Sequence, residues 1–305
     1  MFRQFVWFCS IATAFYTTSA AHAMEPDACR DIRLRFETIK PQISAIEVSL
    51  TLFSAADKNC ADLVTELLDH GASVDARDRF GARPLSHAAR FGHLPIVDLL
   101  LARRAPIDAR NLAGATALYL AVEGDRTPVA QRLIEKGANI NLAGRGGVTP
   151  VSAAAYRGND ALVEALLAHG ADDRAADETG KPPIVYAAAG ARFDVVTRLL
   201  ARNIDINARY PNDLTLLMWA SGPDESAPES QAIKVVQQLL DAGARIDDRD
   251  ARGRTALMVA AEGGRSGIAN LLLACGADLA LRDKAGKRAV DLTVLTSLRE
   301  RLTPP

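Results

Sequence analysis

Histidine and cysteine are the side chains with which this chain could most readily do chemistry, and they are scattered along it. His22 lies in an apolar N-terminal segment, His70 and His169 each precede a glycine, and His93 follows one. No histidine or cysteine stands at the spacing of a metal site, and no HExxH, GxxxxGK[ST], GxSxG or GxGxxG pattern occurs. We therefore predict no catalytic residue, no metal ligand and no cofactor. The alternative is an enzyme whose site is not recognisable in the sequence.

The composition excludes two broad classes of partner. Lysine and arginine together number 36, aspartate and glutamate 37, and the formal net charge is −1. A chain so close to neutral has no field that would attract nucleic acid or an anionic membrane surface. Its 305 residues, 49% of them apolar, can bury a continuous core. We expect a monomer whose partner is another protein.

Residues 1–23 are predicted to be a secretory signal peptide. Arg3 supplies a positive start, an apolar run extends from Phe5 to Tyr16, and Ala21-His22-Ala23 gives a small-x-small ending. The run of 12 residues is shorter than the roughly 20 that a membrane span needs. We expect cleavage after Ala23 and no stable membrane insertion, with a permanent anchor as the alternative. The predicted location is the periplasm, and the alternative is the extracellular medium.

Three cysteines follow the predicted signal peptide: Cys29, Cys60 and Cys275. Export would place them where disulfides persist. Cys29 and Cys60 flank a predicted N-terminal cap, and a bridge between them would close a loop of about 30 residues and stabilise the fold by roughly 3–4 kcal/mol. A Cys29–Cys60 disulfide and three unpaired thiols stand as equal alternatives.

A short motif recurs along the rest of the chain. Pairs of alanine or a close variant are spaced 33 residues apart five times running, and a seventh pair follows after 40. Gly-Ala or a substitute comes 16 residues after the start of each pair, 23 in the sixth unit, and is preceded by paired aliphatic residues. Alanines let a first helix approach its neighbours, aliphatic pairs give a second helix a buried stripe, and glycine ends that helix. The pairs begin at Ala55, Ala88, Ala121, Ala154, Ala187, Ala220 and Ala260.

A second series of glycines marks a turn in six of the units, at Gly81, Gly114, Gly147, Gly180, Gly253 and Gly286. Asp213 takes this place in the sixth unit, because aspartate tolerates positive φ. Arg104 replaces the helix-ending glycine of the second unit, where a left-handed conformation would cost about 1 kcal/mol. We therefore expect the second unit to end differently from the others.

These residues resemble the ankyrin repeat, whose unit contains Gly-x-Thr-Pro-Leu-His-x-Ala-Ala, Gly-His, an aliphatic helix and Gly-Ala. The stretch from Gly147 to Ala155 and the Gly92-His93 pair match closely. The motif's histidine is replaced in every unit, in the third by Tyr119. The resemblance implies an all-α ankyrin-repeat solenoid with an N-terminal helical cap and a C-terminal half-repeat cap. The predicted domains are residues 1–23, the signal peptide, 24–48, the capping region, and 49–305, seven repeats and the cap.

In ankyrin proteins the hairpin tips and the inner face of the first helices hold partners, and this implies a binding surface here. Exposed aromatic and arginine side chains make strong contributions to protein interfaces. The candidate binding residues are Arg77, Arg79, Phe80, Arg90, Phe91, Arg110, Asn111, Arg145, Tyr156, Arg157, Tyr210 and Asn212. We expect about half of them to prove silent on substitution.

The sixth unit contains seven extra residues within positions 222–231. Loops tolerate added length cheaply, at about 0.6 kcal/mol per doubling, so a functional insertion and a neutral one are equally consistent with the sequence. The leading hypothesis is a periplasmic adaptor that binds and protects, inhibits or scaffolds an envelope protein. The rival hypothesis is a secreted effector that engages a host protein.

Overall fold

The computed structural model describes residues 26–39, 44–222 and 227–303. The predicted signal peptide lies outside the described residues, as does part of the insertion in the sixth repeat. Within the described ranges there are 17 α-helices and two short 3-10 helices, and the only β pairing there is an isolated bridge between Tyr210 and Leu214. The all-helical prediction is confirmed.

The chain divides into two compact bodies. The N-terminal body holds the described residues up to Ala88 together with His93–Pro106, and the C-terminal body holds Ala89–Gly92 and the described residues from Ile107 onward. Five helices begin in the N-terminal body: α1 (Asp27–Ile39), α2 (Ala45–Asp57), α3 (Ala61–Asp69), α4 (Pro84–Phe91) and α5 (Leu94–Ala102). Within it α1 packs on α2, α2 on α3, and α3 on α5.

The C-terminal body repeats a pair of short helices. Its helices are α6 (Ala117–Glu123), α7 (Thr127–Glu135), α8 (Pro150–Arg157), α9 (Asp160–Ala168), α10 (Pro183–Ala189), α11 (Phe193–Leu200), α12 (Leu216–Ser221), α13 (Glu229–Asp241), α14 (Ala256–Glu262), α15 (Ser266–Ala274), α16 (Ala289–Leu292) and α17 (Thr296–Leu302). The first helices pack in one row, from α6 through α8, α10, α12 and α14 to α16. The second helices pack in another, from α7 through α9, α11 and α13 to α15.

The first helices begin at the same kind of capping residue, and the helices bury the same repeated apolar positions. Threonine caps the first helix at Thr116, Thr149, Thr215 and Thr255, where each hydroxyl oxygen accepts a hydrogen bond from the backbone N–H three residues on. The alanine pairs and one residue of each aliphatic pair, such as Leu133 and Leu166, are buried. Each fully buried leucine contributes about 1.5–3 kcal/mol relative to an exposed one.

The left-handed positions fall where the turn residues predict them. All six glycines of the turn series and Asp213, at 58°, have positive φ. Arg104 also takes positive φ, 61°, and lies exposed at the end of α5. The expectation that the second repeat ends differently was therefore wrong. With its side chain in solvent, Arg104 meets no steric obstacle beyond its own backbone strain.

A disulfide joins Cys29 of α1 to Cys60, the residue before α3, with Cα atoms 5.5 Å apart. Both cysteines are buried, and Phe36 of α1 is buried with them. Arg33 of α1 pairs with Glu66 of α3 at 2.5 Å. Helix α1 is therefore attached to the first repeat by a covalent bond, an ion pair and apolar contact. The predicted boundary at residue 49 lies inside α2, which begins after the Ser44 capping box.

The insertion of the sixth repeat lies between α12 and α13, and residues 223–226 within it are outside the described part. The described C-terminal part of the insertion includes Glu229, the residue at which α13 begins. Helix α13 is 13 residues long. The Glu229 carboxylate accepts hydrogen bonds from Gly267 N at 2.9 Å and Ile268 N at 3.4 Å, in the first turn of α15. Part of the inserted segment therefore caps the next repeat's helix.

Across the described part of the chain, no helix has both the length and the apolar character that a membrane span requires.

Candidate protein-binding surface

An aromatic surface lies on the row of first helices in the C-terminal body. Tyr186 of α10 and Trp219 of α12 occupy the same position in repeats 33 residues apart. Tyr156, near the end of α8, is 42% exposed, and its ring meets that of Tyr186 edge to face with centroids 6.4 Å apart. Such aromatic pairs contribute about 0.5–1.5 kcal/mol beyond the area they bury. We call Tyr156, Lys181, Tyr186 and Trp219 the aromatic surface.

Lys181 places a positive charge between the two central rings. Its Nζ lies 5.4 Å from the centroid of Tyr186 and 5.9 Å from that of Trp219, within cation–π distance of both. The same atom lies 3.8 Å from the Asp177 carboxylate. The ammonium group is thus held by two rings and one carboxylate, and 29% of the lysine side chain is exposed.

Asp177 fixes the geometry beneath the aromatic surface. Its side chain is only 4% exposed, and it accepts hydrogen bonds from the Tyr186 hydroxyl at 2.5 Å, from the N–H groups of Thr179 and Lys181, and from the Thr179 hydroxyl. Burial acts to raise the pKa of this carboxyl, but these hydrogen bonds outweigh it and hold the pKa below its ordinary value. Asp177 is therefore ionised at neutral pH and orients both Lys181 and Tyr186.

The phenols of this region stay neutral. Burial, followed by the hydrogen bond to Asp177, raises the pKa of the Tyr186 hydroxyl well above its ordinary value. Tyr119 is buried in α6, and burial together with the charge of Glu123 raises its pKa to about 12. The indole Nε1 of Trp219 is buried and has no hydrogen-bond partner among the described residues. The surface thus presents ring faces and one ammonium group rather than a reactive nucleophile.

Ten of the twelve candidate binding residues are exposed. Phe80 is 58% exposed, with the Arg79 guanidinium 4.6 Å from its ring centroid, and both belong to the N-terminal body. In the C-terminal body the Arg90 guanidinium lies 5.8 Å from the Phe91 ring. Among the described ring contacts, Tyr156 is the candidate that joins the aromatic surface. The ten exposed residues are Arg77, Arg79, Phe80, Arg90, Phe91, Arg110, Arg145, Tyr156, Arg157 and Asn212.

Three of the candidates, the exposed Arg110 and the half-buried Asn111 and Tyr210, interact with the hairpin loops. Arg110 donates to the carbonyl oxygen of Gly114 at 2.7 Å and to that of Ala143, in the next repeat, at 2.8 Å. Asn111 Oδ1 accepts from the N–H groups of Ala113 and Ala115. Tyr210 is half-buried, and burial followed by the charge of Asp205 raises its pKa to about 12. Their side chains are engaged within the fold.

The sequence did not lead us to predict that Asp177 orients Tyr186 or that Lys181 lies between two aromatic rings. A signal for Asp177 was present, because aspartate or asparagine recurs at the same repeat position. The residues that share it are Asp78, Asn111, Asp177, Asp250 and Asp283. Lys181 carries no such signal, since its role depends on Tyr186 and Trp219 from two different helices. Within the described residues, no group of three or more histidine, cysteine, aspartate or glutamate side chains could hold a metal ion.

Stacked helix pairs with exposed tips and aromatic side chains along the row of first helices define an α-helical repeat protein. The family model for ankyrin repeats (3 copies) matches the sequence over residues 52–144, 143–210 and 210–283. The chain therefore belongs to the ankyrin-repeat family, and it is a protein-interaction module. No curated protein matches the sequence.

Proposed function

We propose that this protein is an exported adaptor that works in the periplasm and holds an envelope protein against its aromatic surface. Binding would protect, inhibit or scaffold that partner. The observation that carries the binding role is the aromatic surface, in which the Tyr186 and Trp219 rings hold the Lys181 ammonium group and the Tyr156 ring meets Tyr186 edge to face. A rigid surface of this kind loses little entropy when a partner docks.

The side chains of the aromatic surface are held in place by contacts within the fold, which supports a role in docking. Tyr186 is fixed by its hydrogen bond to Asp177, and Lys181 is fixed by its position between two rings. Because these side chains are held before a partner arrives, less of the interaction energy goes into ordering them. Tyr156 is the most accessible of the three rings, with 42% of its surface exposed.

The disulfide supports the export part of the proposal. Disulfides persist in oxidising compartments such as the periplasm and are rare in the reducing cytosol. The Cys29–Cys60 bridge is buried and ties α1 to the first repeat. A chain that uses such a bridge for its N-terminal end gains most from it outside the cytosol.

Pull-down from a periplasmic extract with the Tyr156→Ala variant tests the proposal. We expect this variant to lose an envelope protein that the unaltered chain captures, while its thermal unfolding stays nearly the same. Phe193→Ala is the matched control, because Phe193 is 39% exposed and lies on α11, in the row of second helices. Equal loss in both variants would contradict the assignment of the surface. Protein found in the medium, with no envelope partner, would favour the host-directed alternative.

A further inference from the structure

Successive repeats of the C-terminal body are joined by a hydrogen bond from loop to loop. At four steps an aspartate or asparagine Oδ1 atom accepts the backbone N–H of the residue that follows the Gly-Ala position in the next repeat. The pairs are Asp108 with Asn139 at 2.8 Å, Asn141 with Asp172 at 3.1 Å, Asn207 with Arg245 at 2.9 Å, and Asp247 with Asp278 at 3.1 Å.

This bond is missing at one step. The repeat spacing puts Arg174 at the position of the acceptor and Asp205 at the position of the donor. An arginine side chain has no acceptor atom, and the described residues provide no hydrogen bond to the Asp205 N–H. The step from the fourth to the fifth repeat is therefore incomplete. Asp205 is an exposed residue, so its N–H can be reached by an acceptor from outside the chain.

Two further substitutions change the side chains at the same step. Asp173 stands where the neighbouring repeats have Ile140 and Ile206, and Ile204 stands where they have alanine. Asp173 puts a carboxylate where the neighbours pack an aliphatic side chain, and Ile204 is larger than the alanine it replaces, so the packing here differs from that of the other steps. A cleft of about 340 Å³ lies here. Its lining is Asp173, Arg174, Pro182, Ile184, Asn203, Ile204, Asp205, Ala208 and Tyr210.

The charges of the cleft nearly cancel. Asp173 pairs with Arg202 and lies 4.0 Å from Arg174. The Asp205 carboxylate accepts the backbone N–H of Asn207 at 2.9 Å. Tyr210, whose pKa is raised to about 12 by burial and then by the charge of Asp205, is a neutral phenol at physiological pH. What remains is an apolar wall from Pro182, Ile184 and Ile204, with the Asp205 N–H and the Arg174 guanidinium as donors.

We propose that this cleft is a ligand site for a carboxamide or carboxylate group carried on a short apolar stem. The four complete steps show the chemistry that satisfies the equivalent donor, since two of the acceptors are asparagine and two are aspartate. The ligand's carbonyl oxygen accepts from the Asp205 N–H, and Arg174 supports it. The apolar stem lies against Pro182, Ile184 and Ile204. The volume is at the lower end of the range for ligand pockets, about 300–1,000 Å³, and suits a ligand the size of one amino-acid side chain.

Titration of the ¹⁵N-labelled full chain with phenylacetamide tests the site. We expect amide shifts at Ile184, Ile204 and Asp205 and slower hydrogen exchange of the Asp205 N–H. Phenethylamine, which has the same ring but a cation in place of the acceptor, should leave these signals unmoved. An asparagine-containing turn peptide forms a second arm: shifts from the peptide alone point to a partner protein as the source, and shifts from phenylacetamide alone to a free metabolite.

The variant Arg174→Asn makes the test decisive, because it supplies the missing acceptor from the chain itself. We expect it to slow exchange of the Asp205 N–H by roughly tenfold without ligand, the effect of one hydrogen bond, and to abolish binding of phenylacetamide. Arg249→Asn replaces an exposed arginine that is neither in the cleft nor among the candidate binding residues, and this variant should bind as the unaltered chain does. The proposal is overturned if phenethylamine gives the same shifts, if neither phenylacetamide nor the turn peptide shifts the three amides, or if Arg174→Asn still binds the probe that the unaltered chain binds.

Discussion

The hairpin tips of the repeats are built in two ways. At five of them an aspartate or asparagine Oδ1 accepts the backbone N–H groups two and four residues on, as Asp177 does from Thr179 and Lys181. At the other two, Gly144 and Tyr210 take that position and no such acceptor exists. There a 3-10 helix forms instead, at Arg145–Gly147 and Pro211–Asp213.

Both designs keep one backbone hydrogen bond. The N–H of Asp177 donates to the carbonyl oxygen of Lys181 at 3.1 Å, and the N–H of Gly144 donates to that of Val148 at 2.9 Å. The side-chain acceptor is therefore not what closes the hairpin. Without it, two successive residues take positive φ, Gly146 and Gly147 at one tip and Asn212 and Asp213 at the other. A tip can thus exchange a side-chain hydrogen bond for a second left-handed residue.

The largest expected change in the free energy of unfolding comes from Asp177, at a tip that has a side-chain acceptor. Asp177→Ala removes the acceptor of Thr179, Lys181 and Tyr186 together, and we expect it to lower the free energy of unfolding by about 3 kcal/mol, since buried donors are left unpaired. Urea unfolding measures the loss. Asp177→Asn keeps one carbonyl oxygen, as Asn111 does, and should lose about 1 kcal/mol. Asp283→Ala, at a half-buried tip where the carboxylate accepts the N–H groups of Ala285 and Lys287, is the control, and an equal loss there would contradict the special role of Asp177.

The second prediction concerns the reason that one tip lacks an acceptor. A Cβ at Gly144 would lie 2.6 Å from ring atoms of Tyr119, which is buried in the preceding repeat. Because this ring cannot move aside cheaply, Gly144→Ala should lower the free energy of unfolding by about 2 kcal/mol.

A double-mutant cycle with Tyr119→Ser isolates this contact, since Ser86 and Ser152 occupy the same position in other repeats. In the serine background, Gly144→Ala should cost well under half as much. Additive losses would show that the ring of Tyr119 is not the obstacle.

Much of this architecture could be predicted from the sequence, because the fold depends on residues that recur. Gly81 and Gly180 mark left-handed turns, and the alanine pairs lie in buried helices, as the 33-residue spacing predicts. The aromatic surface could be predicted only in part. Tyr186 and Trp219 share a repeat position that sequence can identify, whereas the contact of Lys181 with both rings depends on distances between helices. The cleft lies where Asp173, Arg174 and Ile204 depart from the repeat pattern. Its shape depends on how the neighbouring side chains pack around these residues, which the sequence does not predict.

The third prediction concerns the effect of low pH on the stability that the Asp177 tip contributes. The pKa of Asp177 lies below its ordinary value in the folded chain, so its ionised form stabilises the fold above the unfolded pKa of about 3.9. That contribution is lost as the pH falls through the folded pKa. The difference in unfolding free energy between the unaltered chain and Asp177→Asn should therefore be largest near neutral pH and shrink below about pH 4. A difference that stays constant from neutral to acidic pH would refute this linkage.

The smallest expected effect lies in the two 3-10 tips themselves. Asn212 and Gly146 are equivalent positions with φ of 63° and 68°, and the carbonyl oxygen of each accepts an N–H from the next repeat, from Ala251 at 2.9 Å and from Glu178 at 3.0 Å. A left-handed asparagine is strained relative to glycine, so Asn212→Gly should raise the free energy of unfolding by about 0.5 kcal/mol.

The reverse change offers a matched test, because a Cβ at Gly146 would meet no atom within 4 Å. Gly146→Asn should lower stability by the same amount, about 0.5 kcal/mol, and chemical unfolding of both variants measures it. If the two changes are not opposite in sign, the second left-handed residue is not what replaces the missing side-chain acceptor. Asn212 is also a candidate binding residue, so unchanged partner capture by Asn212→Gly would show that its side chain does not contribute to binding.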